Sequence, residues 1–236
     1  MAKVIAELEC SELVKIFTTE NSNVSRAVLK GIDLKCKTGE LICIIGPSGS
    51  GKTTLLQIIS GFLKPDAGFV KHDTQIINNF SRKKLEEYWR ETITFIYQDP
   101  YDNVFPHLPI KRNILIACNL SKNRRFLNDE FISRVLLEVD LKKHLSTPSN
   151  RLSGGEIQKL AFAIAIIRNS QLILLDEPTG EIDAEASQNI FQILTSLCHR
   201  KKMIGILVTH DKLALKYATR AFSLTEGRLN EIKLNK

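Results

Sequence analysis

The sequence predicts an α/β fold built on a parallel sheet, and three observations carry that expectation. Short, continuous apolar runs stand at 41–45, 172–175 and 203–209, each of a length and composition suited to a buried strand. The first run ends at Gly46-Pro47 and feeds residues 53–60, where Leu55, Leu56, Ile58 and Ile59 recur among helix formers, so the order is strand, glycine loop, helix. Between the second and third runs, Ile190, Phe191, Ile193, Leu194 and Leu197 repeat at helical spacing. Strand, helix, strand requires a parallel crossover.

Taken in chain order, residues 6–17 and 28–36 alternate and are rich in β-branched side chains, which predicts antiparallel strands joined by a polar loop over 18–25. Residues 106–167 show little strand signal and place Phe131, Val135, Leu136 and Val139 at helical spacing, as expected of a helical subdomain inserted into the core. The whole reads as one domain over 1–236. Its core and β subdomain cover about 1–105 and 168–236, and its helical subdomain about 106–167. Repeats and low-complexity linkers are missing, and the close after Glu226-Gly227-Arg228 leaves no room for a further domain.

With 236 residues, 43% of them hydrophobic, the chain can bury a core without disulfides. Its five cysteines, Cys10, Cys36, Cys43, Cys118 and Cys198, are odd in number and scattered, which fits a reduced, intracellular protein. Apolar stretches such as 160–167 fall far short of the roughly 18 to 20 residues that cross a bilayer. Acidic residues near the N-terminus exclude a signal peptide there. The net charge of +7 is dispersed in short groups at 82–84, 124–125 and 200–202, which read as solvated faces; no specific nucleic-acid partner is expected.

Gly46-Pro47-Ser48-Gly49-Ser50-Gly51-Lys52-Thr53 fits G-x-x-x-x-G-K-[ST] and lies between a buried strand and a helix N-terminus. Its glycines let successive backbone N–H groups turn inward around phosphate oxygens, and the helix N-terminus adds partial positive charge. Lys52 would neutralise the β- and γ-phosphates of a nucleotide, and the Thr53 hydroxyl would ligate Mg²⁺. At the end of the second buried run, Asp176 and Glu177 place two carboxylates where open α/β sheets bind ligands. Asp176 can hold the Mg²⁺ shell and Glu177 can take a proton from attacking water. Read alone, that pair is equally an ordinary acidic turn; Lys52 upstream is what favours chemistry.

Leu152-Ser153-Gly154-Gly155-Glu156, shortly before Asp176, resembles the LSGGQ signature of ATP-binding-cassette nucleotide-binding domains. The resemblance covers nearly the whole chain, with its motifs in family order. It implies a P-loop NTPase core, an antiparallel β subdomain, an inserted helical subdomain and ATP hydrolysis. It also implies that the signature completes the ATP site of a second copy, so that a homodimer or a pair of such domains sandwiches two nucleotides. The ATP-binding set is then Phe17, Gly46, Pro47, Ser48, Gly49, Ser50, Gly51, Lys52, Thr53 and Thr54. Gln98 resembles the glutamine that touches Mg²⁺ and the lytic water, and its segment leads into the region that contacts membrane subunits. His210 resembles the switch histidine at the γ-phosphate, and Asp183 the aspartate that communicates across the dimer. Phe17 stands where the family stacks an aromatic, usually Tyr, on adenine. Outside that family context Gln98 reads as a solvated polar residue, His210 as a structural strand-end histidine, Asp183 as an N-cap and Phe17 as a core aromatic.

The chain departs from the family pattern in the signature helix, where Glu156 replaces the usual Gln, Gln158-Lys159 stands where Gln-Arg is common and Ile164 falls where Arg is frequent, and at Glu181, which adds a charge before Asp183 near the expected dimer seam. They bear on dimer electrostatics and turnover more than on ATP binding. The resemblance implies a cytoplasmic subunit, peripheral on the inner face of the cell membrane, that powers a transmembrane permease. The loop after Phe17, Pro178-Thr179-Gly180, Pro106-His107-Leu108 and the short C-terminus look most like lipoprotein-release and macrolide-export ATPases. The other readings are the ATPase of an amino-acid importer and a cassette ATPase acting on nucleic acid or ribosomes.

Overall fold

The computed structural model describes residues 7–18, 25–120, 128–141, 143–180 and 184–234. Among the described residues, two sheets and six α-helices make up the α/β architecture. The first sheet is antiparallel and four-stranded, in the order β2-β1-β4-β5, with β1 at Glu7–Thr18, β2 at Ser25–Lys37, β4 at Ala67–His72 and β5 at Gln75–Ile76. The second has the order β10-β9-β3-β8-β7-β6. Its strands are β3 (Leu41–Ile45), β6 (Ile93–Ile96), β7 (Leu172–Asp176), β8 (Ile204–Thr209), β9 (Arg220–Thr225) and β10 (Arg228–Ile232). Only β10 runs antiparallel to its neighbour, pairing with β9 through the Glu226-Gly227 turn.

The near-continuous apolar runs of β3, β7 and β8 follow from burial on both faces. Alternation sends Ile42, Ile44, Leu172, Leu174, Ile204 and Ile206 to one side, where they meet α1 (Lys52–Ile59) and the inward residues of the first sheet, such as Leu8, Leu13, Leu29 and Ile32. Leu41, Cys43, Ile173, Leu175 and Leu207 face the other side, against α5 (Gly154–Arg168) and α6 (Ala184–Lys201). Helices α3 (Ile110–Leu120) and α4 (Asp129–Glu138) pack on α5, which explains why α5 is apolar almost all round. Helix α2 (Arg82–Glu91) lies beside β6 and exposes Arg82, Lys83 and Lys84, as expected of a solvated face. Of the other basic groups, 124–125 lie outside the described residues, whereas Arg200 pairs with Glu138 at 3.0 Å.

The strand order decides where the motifs meet. β3, β8 and β7 are adjacent and parallel, with Ile45 opposite Thr209 and Val208 opposite Asp176. The three carboxyl ends therefore coincide, and the residues just beyond them, Gly46, His210 and Glu177, are carried to one edge of the sheet. β6 continues the row on the far side of β7 and delivers Gln98 to the same edge. β4 was not legible as a partner of β1, because its register with β1 joins residues about sixty apart, such as Leu8 and His72.

Candidate functional site

Beyond those strand ends lies an open cleft of about 370 Å³, lined by Val28, Ser48, Gly49, Gly51, Lys52, Thr53, Thr54, Gln98, Glu177 and His210. The loop that forms its floor needs glycine at two places for different reasons. Gly51, at the N-cap of α1, has φ 102°, a left-handed conformation that costs glycine little. A Cβ on Gly46 would overlap the carbonyl oxygen of Leu224, so only glycine lets the loop leave β3 against β9. Lys52 is 7% exposed and donates from Nζ to the carbonyls of Gly46 at 2.9 Å and Pro47 at 3.2 Å. Its ammonium also lies 3.5 Å from Oε1 of Glu177.

Glu177 is the meeting point of three motifs. Its Oε2 accepts from the backbone N–H of His210 at 3.1 Å and lies 2.9 Å from His210 Nδ1. Its own backbone is left-handed, with φ 46°, a strained conformation for a residue with a side chain. Next to it, Asp176 is 5% exposed, and its Oδ1 has no hydrogen-bond partner among the described residues. Burial pushes the Asp176 carboxyl above its ordinary pKa, while the Thr53 hydroxyl pulls it down, Glu177 pushes it further up and Lys52 opposes that. A buried carboxylate with a spare oxygen beside Thr53 and the cleft suits a hard cation that takes most of its other ligands from phosphate and water. No group of three or more His, Cys, Asp or Glu side chains able to hold a metal occurs among the described residues.

The signature residues do not line this cleft. Ser153 is the N-cap of α5 in a reciprocal capping box: its Oγ accepts from the N–H of Glu156 at 3.3 Å, and Glu156 Oε2 accepts from the N–H of Ser153 at 3.0 Å. Burial raises the Glu156 pKa, but the Ser153 N–H and Lys143, 3.2 Å away, more than offset it and hold it below its ordinary value. Glu156 thus has a local structural role that Ser-x-x-Glu spacing could have signalled. Leu152 is buried under the helix start, and Gly154 and Gly155 open its first turn. Asp183 lies outside the described residues.

Phe17 is 44% exposed at the end of β1, opposite Arg26, with Lys15 Nζ 5.5 Å from its ring centre. It is not among the residues that line the cleft; Val28, which the sequence does not single out, takes that place on β2. Nor does sequence order reveal Gln158, whose Nε2 donates to the carbonyl of Pro178 at 2.8 Å.

A second groove, of about 270 Å³, opens between β6, α3 and α5 and is lined by Phe95, Tyr97, Val104, Phe105, Ile116 and Ile164 among others. Phe62, Phe95 and Tyr97 form a continuous row, with ring centres 5.8 and 4.6 Å apart. No helix among the described residues is long and apolar enough to cross a membrane.

The family model described as ABC transporter matches residues 29–180. The lipoprotein-releasing system ATP-binding protein LolD of Bacteroides thetaiotaomicron is 32% identical over 219 residues, covering 93% of this chain and 100% of its own length. The MG065 homolog of Mycoplasma pneumoniae is 36% identical over 231 residues, and the chain spans 48% of that longer relative. Among solved structures, the dimeric bacterial ABC transporter cassette MJ0796 superposes with a TM-score of 0.85 at 30% identity, covering 97% of this chain and 99% of that one. The same cassette has been captured as a dimer after hydrolysis, bound to ADP and Pi, with the same TM-score.

Proposed function

This chain belongs to the ABC transporter family and is an ATP-binding domain of it, and on that premise we propose that it is the ATP-hydrolysing subunit that powers a separate membrane permease. One observation carries the proposal: a single cleft gathers Lys52, Thr53, Gln98, Glu177 and His210, while Ser153 stands outside it on α5. The loop from Gly46 to Thr54 holds the phosphates of ATP through backbone N–H groups and Lys52. Phe17, at the open end of β1, is assigned the adenine. Thr53, Asp176 and Gln98 would hold Mg²⁺, which when bound neutralises charge on the β- and γ-phosphate oxygens. Glu177 takes a proton from the water that attacks the γ-phosphate, the bond to the bridging oxygen breaks, and His210 orients the water and the γ-phosphate.

Leu152 to Glu156 then serve the nucleotide of a second copy, with Asp183 at the seam between copies. Closure around ATP and reopening on product release would move the permease, seated at the aromatic groove beside Gln98. The full-length match to a lipoprotein-releasing ATPase supports export, or mechanical work on envelope partners, at the inner face of the membrane. The deciding experiment is Glu177→Gln. The variant should bind ATP and accumulate as a dimer, seen by light scattering, with hydrolysis lost; undiminished hydrolysis removes Glu177 as the base.

A further inference from the structure

We propose that Gln158 is a positioning residue for hydrolysis, tying the helix that carries Ser153 to the backbone immediately after Glu177. Gln158 lies five residues beyond Ser153 on α5 and is 2% exposed. Its Nε2 donates to the carbonyl of Pro178, and its Oε1 has no partner among the described residues. Because the facing atom is a carbonyl oxygen, which only accepts, the amide nitrogen must be the end that meets it. A buried amide with one half unsatisfied costs free energy that an apolar side chain of similar volume would not. Stability alone therefore does not account for Gln at this position.

The geometry around Pro178 shows what the amide does. Pro178 has no N–H, so its carbonyl is its one backbone polar group, and Gln158 takes it. One residue before that carbonyl, Glu177 sits at φ 46°, a conformation that persists only when surrounding contacts over-determine it. Among the described residues, the backbone of this stretch is held by Glu177 N–H to the Val208 carbonyl at 2.9 Å, Gly180 N–H to the Glu177 carbonyl at 3.2 Å, and the amide of Gln158. The first two come from the neighbouring strand and from the turn itself. Gln158 alone comes from α5. It lets the position of the helix whose first turn presents Ser153 bear on the backbone from which the Glu177 carboxylate projects toward His210 and Lys52. The inference rests on the reading of Glu177 as the base and of Ser153 as serving a second copy's nucleotide. On that reading, engagement of Ser153 by one nucleotide bears on hydrolysis of the other.

The test compares full-length Gln158→Met, Gln158→Glu and Glu177→Gln, with ATP as the probe. Gln158→Met removes the orphaned Oε1 but leaves the buried Pro178 carbonyl unpaired, two effects of opposite sign, so its Tm should stay near that of wild type and its affinity for ATP should be kept, while kcat falls about ten- to hundredfold at unchanged KM, the cost of a misplaced base. In Gln158→Glu, a protonated carboxyl can donate to the Pro178 carbonyl and an ionised one cannot, and burial raises its pKa toward neutrality. Its kcat relative to wild type should fall as pH rises from about 5.5 to 8.5, whereas the Gln158→Met ratio stays flat. Wild-type kcat in Gln158→Met, or a flat ratio for Gln158→Glu, overturns the proposal; if Gln158→Met does not fold, the Gln158→Glu profile decides alone. Full hydrolysis by Glu177→Gln would overturn the underlying reading instead. Loss of hydrolysis in Glu177→Gln with wild-type kcat in Gln158→Met would overturn only the tie.

Discussion

Oε2 of Glu177 lies 2.9 Å from Nδ1 of His210, and the two residues differ sharply in setting: the glutamate side chain is 11% exposed and the imidazole 73%. The carboxylate is held from two further directions, by the His210 backbone N–H and by Lys52. His210→Ala therefore removes one contact while leaving Glu177 anchored. Nucleotide affinity should stay within about threefold of wild type and kcat should drop about a hundredfold, the scale of a lost proton-transfer or water-orienting partner. Single-turnover hydrolysis beside a direct ATP-binding titration checks this, and a change confined to affinity would argue against the assignment.

Asp176→Asn should separate activity from stability. The native carboxylate is buried with an unpartnered oxygen, which costs the fold about 1–3 kcal/mol. Because its pKa is raised in the folded state, folding is favoured when the group is protonated, and that advantage is lost as pH rises through the folded pKa. Asparagine removes the charge, so Tm at neutral pH should equal or exceed that of wild type. Hydrolysis should fall at least a hundredfold, with a higher Mg²⁺ requirement in titrations of activity against Mg²⁺.

Much of this architecture can be read locally. The loop from Gly46 to Thr53 is continuous in sequence and sits between an apolar run and a helix, so its position on β3 and α1 follows directly. The same holds for Asp176 and Glu177 at the end of β7 and for the two long strands that open the chain. What was hidden depends on distant partners. The place of Val28 in the cleft, with Phe17 outside its lining, follows from how β2 passes over the loop, where Val28 crowds Gly51. The bond between Gln158 and Pro178 joins residues twenty apart on different elements, and no periodicity encodes it. β4 reads as a short polar-flanked segment until β1 supplies its pairing.

A buried histidine should make the fold acid-sensitive before its carboxylates titrate. His72 is 5% exposed on β4; its Nδ1 lies 3.0 Å from the Tyr88 hydroxyl, and its Nε2 has no partner among the described residues. Burial lowers its pKa, against a smaller opposing pull from Asp73. The unfolded chain therefore binds a proton first as pH falls below about 6.5, and stability declines from there until the folded-state pKa is passed. The slope from this site is at most about 1.4 kcal/mol per pH unit. Urea unfolding between about pH 7 and 5 should show it, and His72→Gln should flatten the curve by up to one proton. An unchanged slope would mean that His72 is not the titrating group.

The aromatic groove gives a test of the proposed permease partner that leaves the cleft of Lys52 and Glu177 untouched. Phe105 is 55% exposed at its rim, yet its backbone is pinned: the Asn113 side chain accepts from the Phe105 N–H at 2.7 Å and donates to its carbonyl at 3.1 Å. Asn103 clamps Tyr97 in the same way, at 2.8 and 3.1 Å. A rim held this rigidly around an apolar hollow is organised for contact, since exposed aromatics on fixed backbone give up little entropy on binding. Phe105→Glu places a charge there without altering a buried contact. Tm and the ATPase activity of the isolated chain should match wild type, whereas co-purification with the membrane permease should fall at least tenfold. Retained co-purification would move the docking surface elsewhere on the chain.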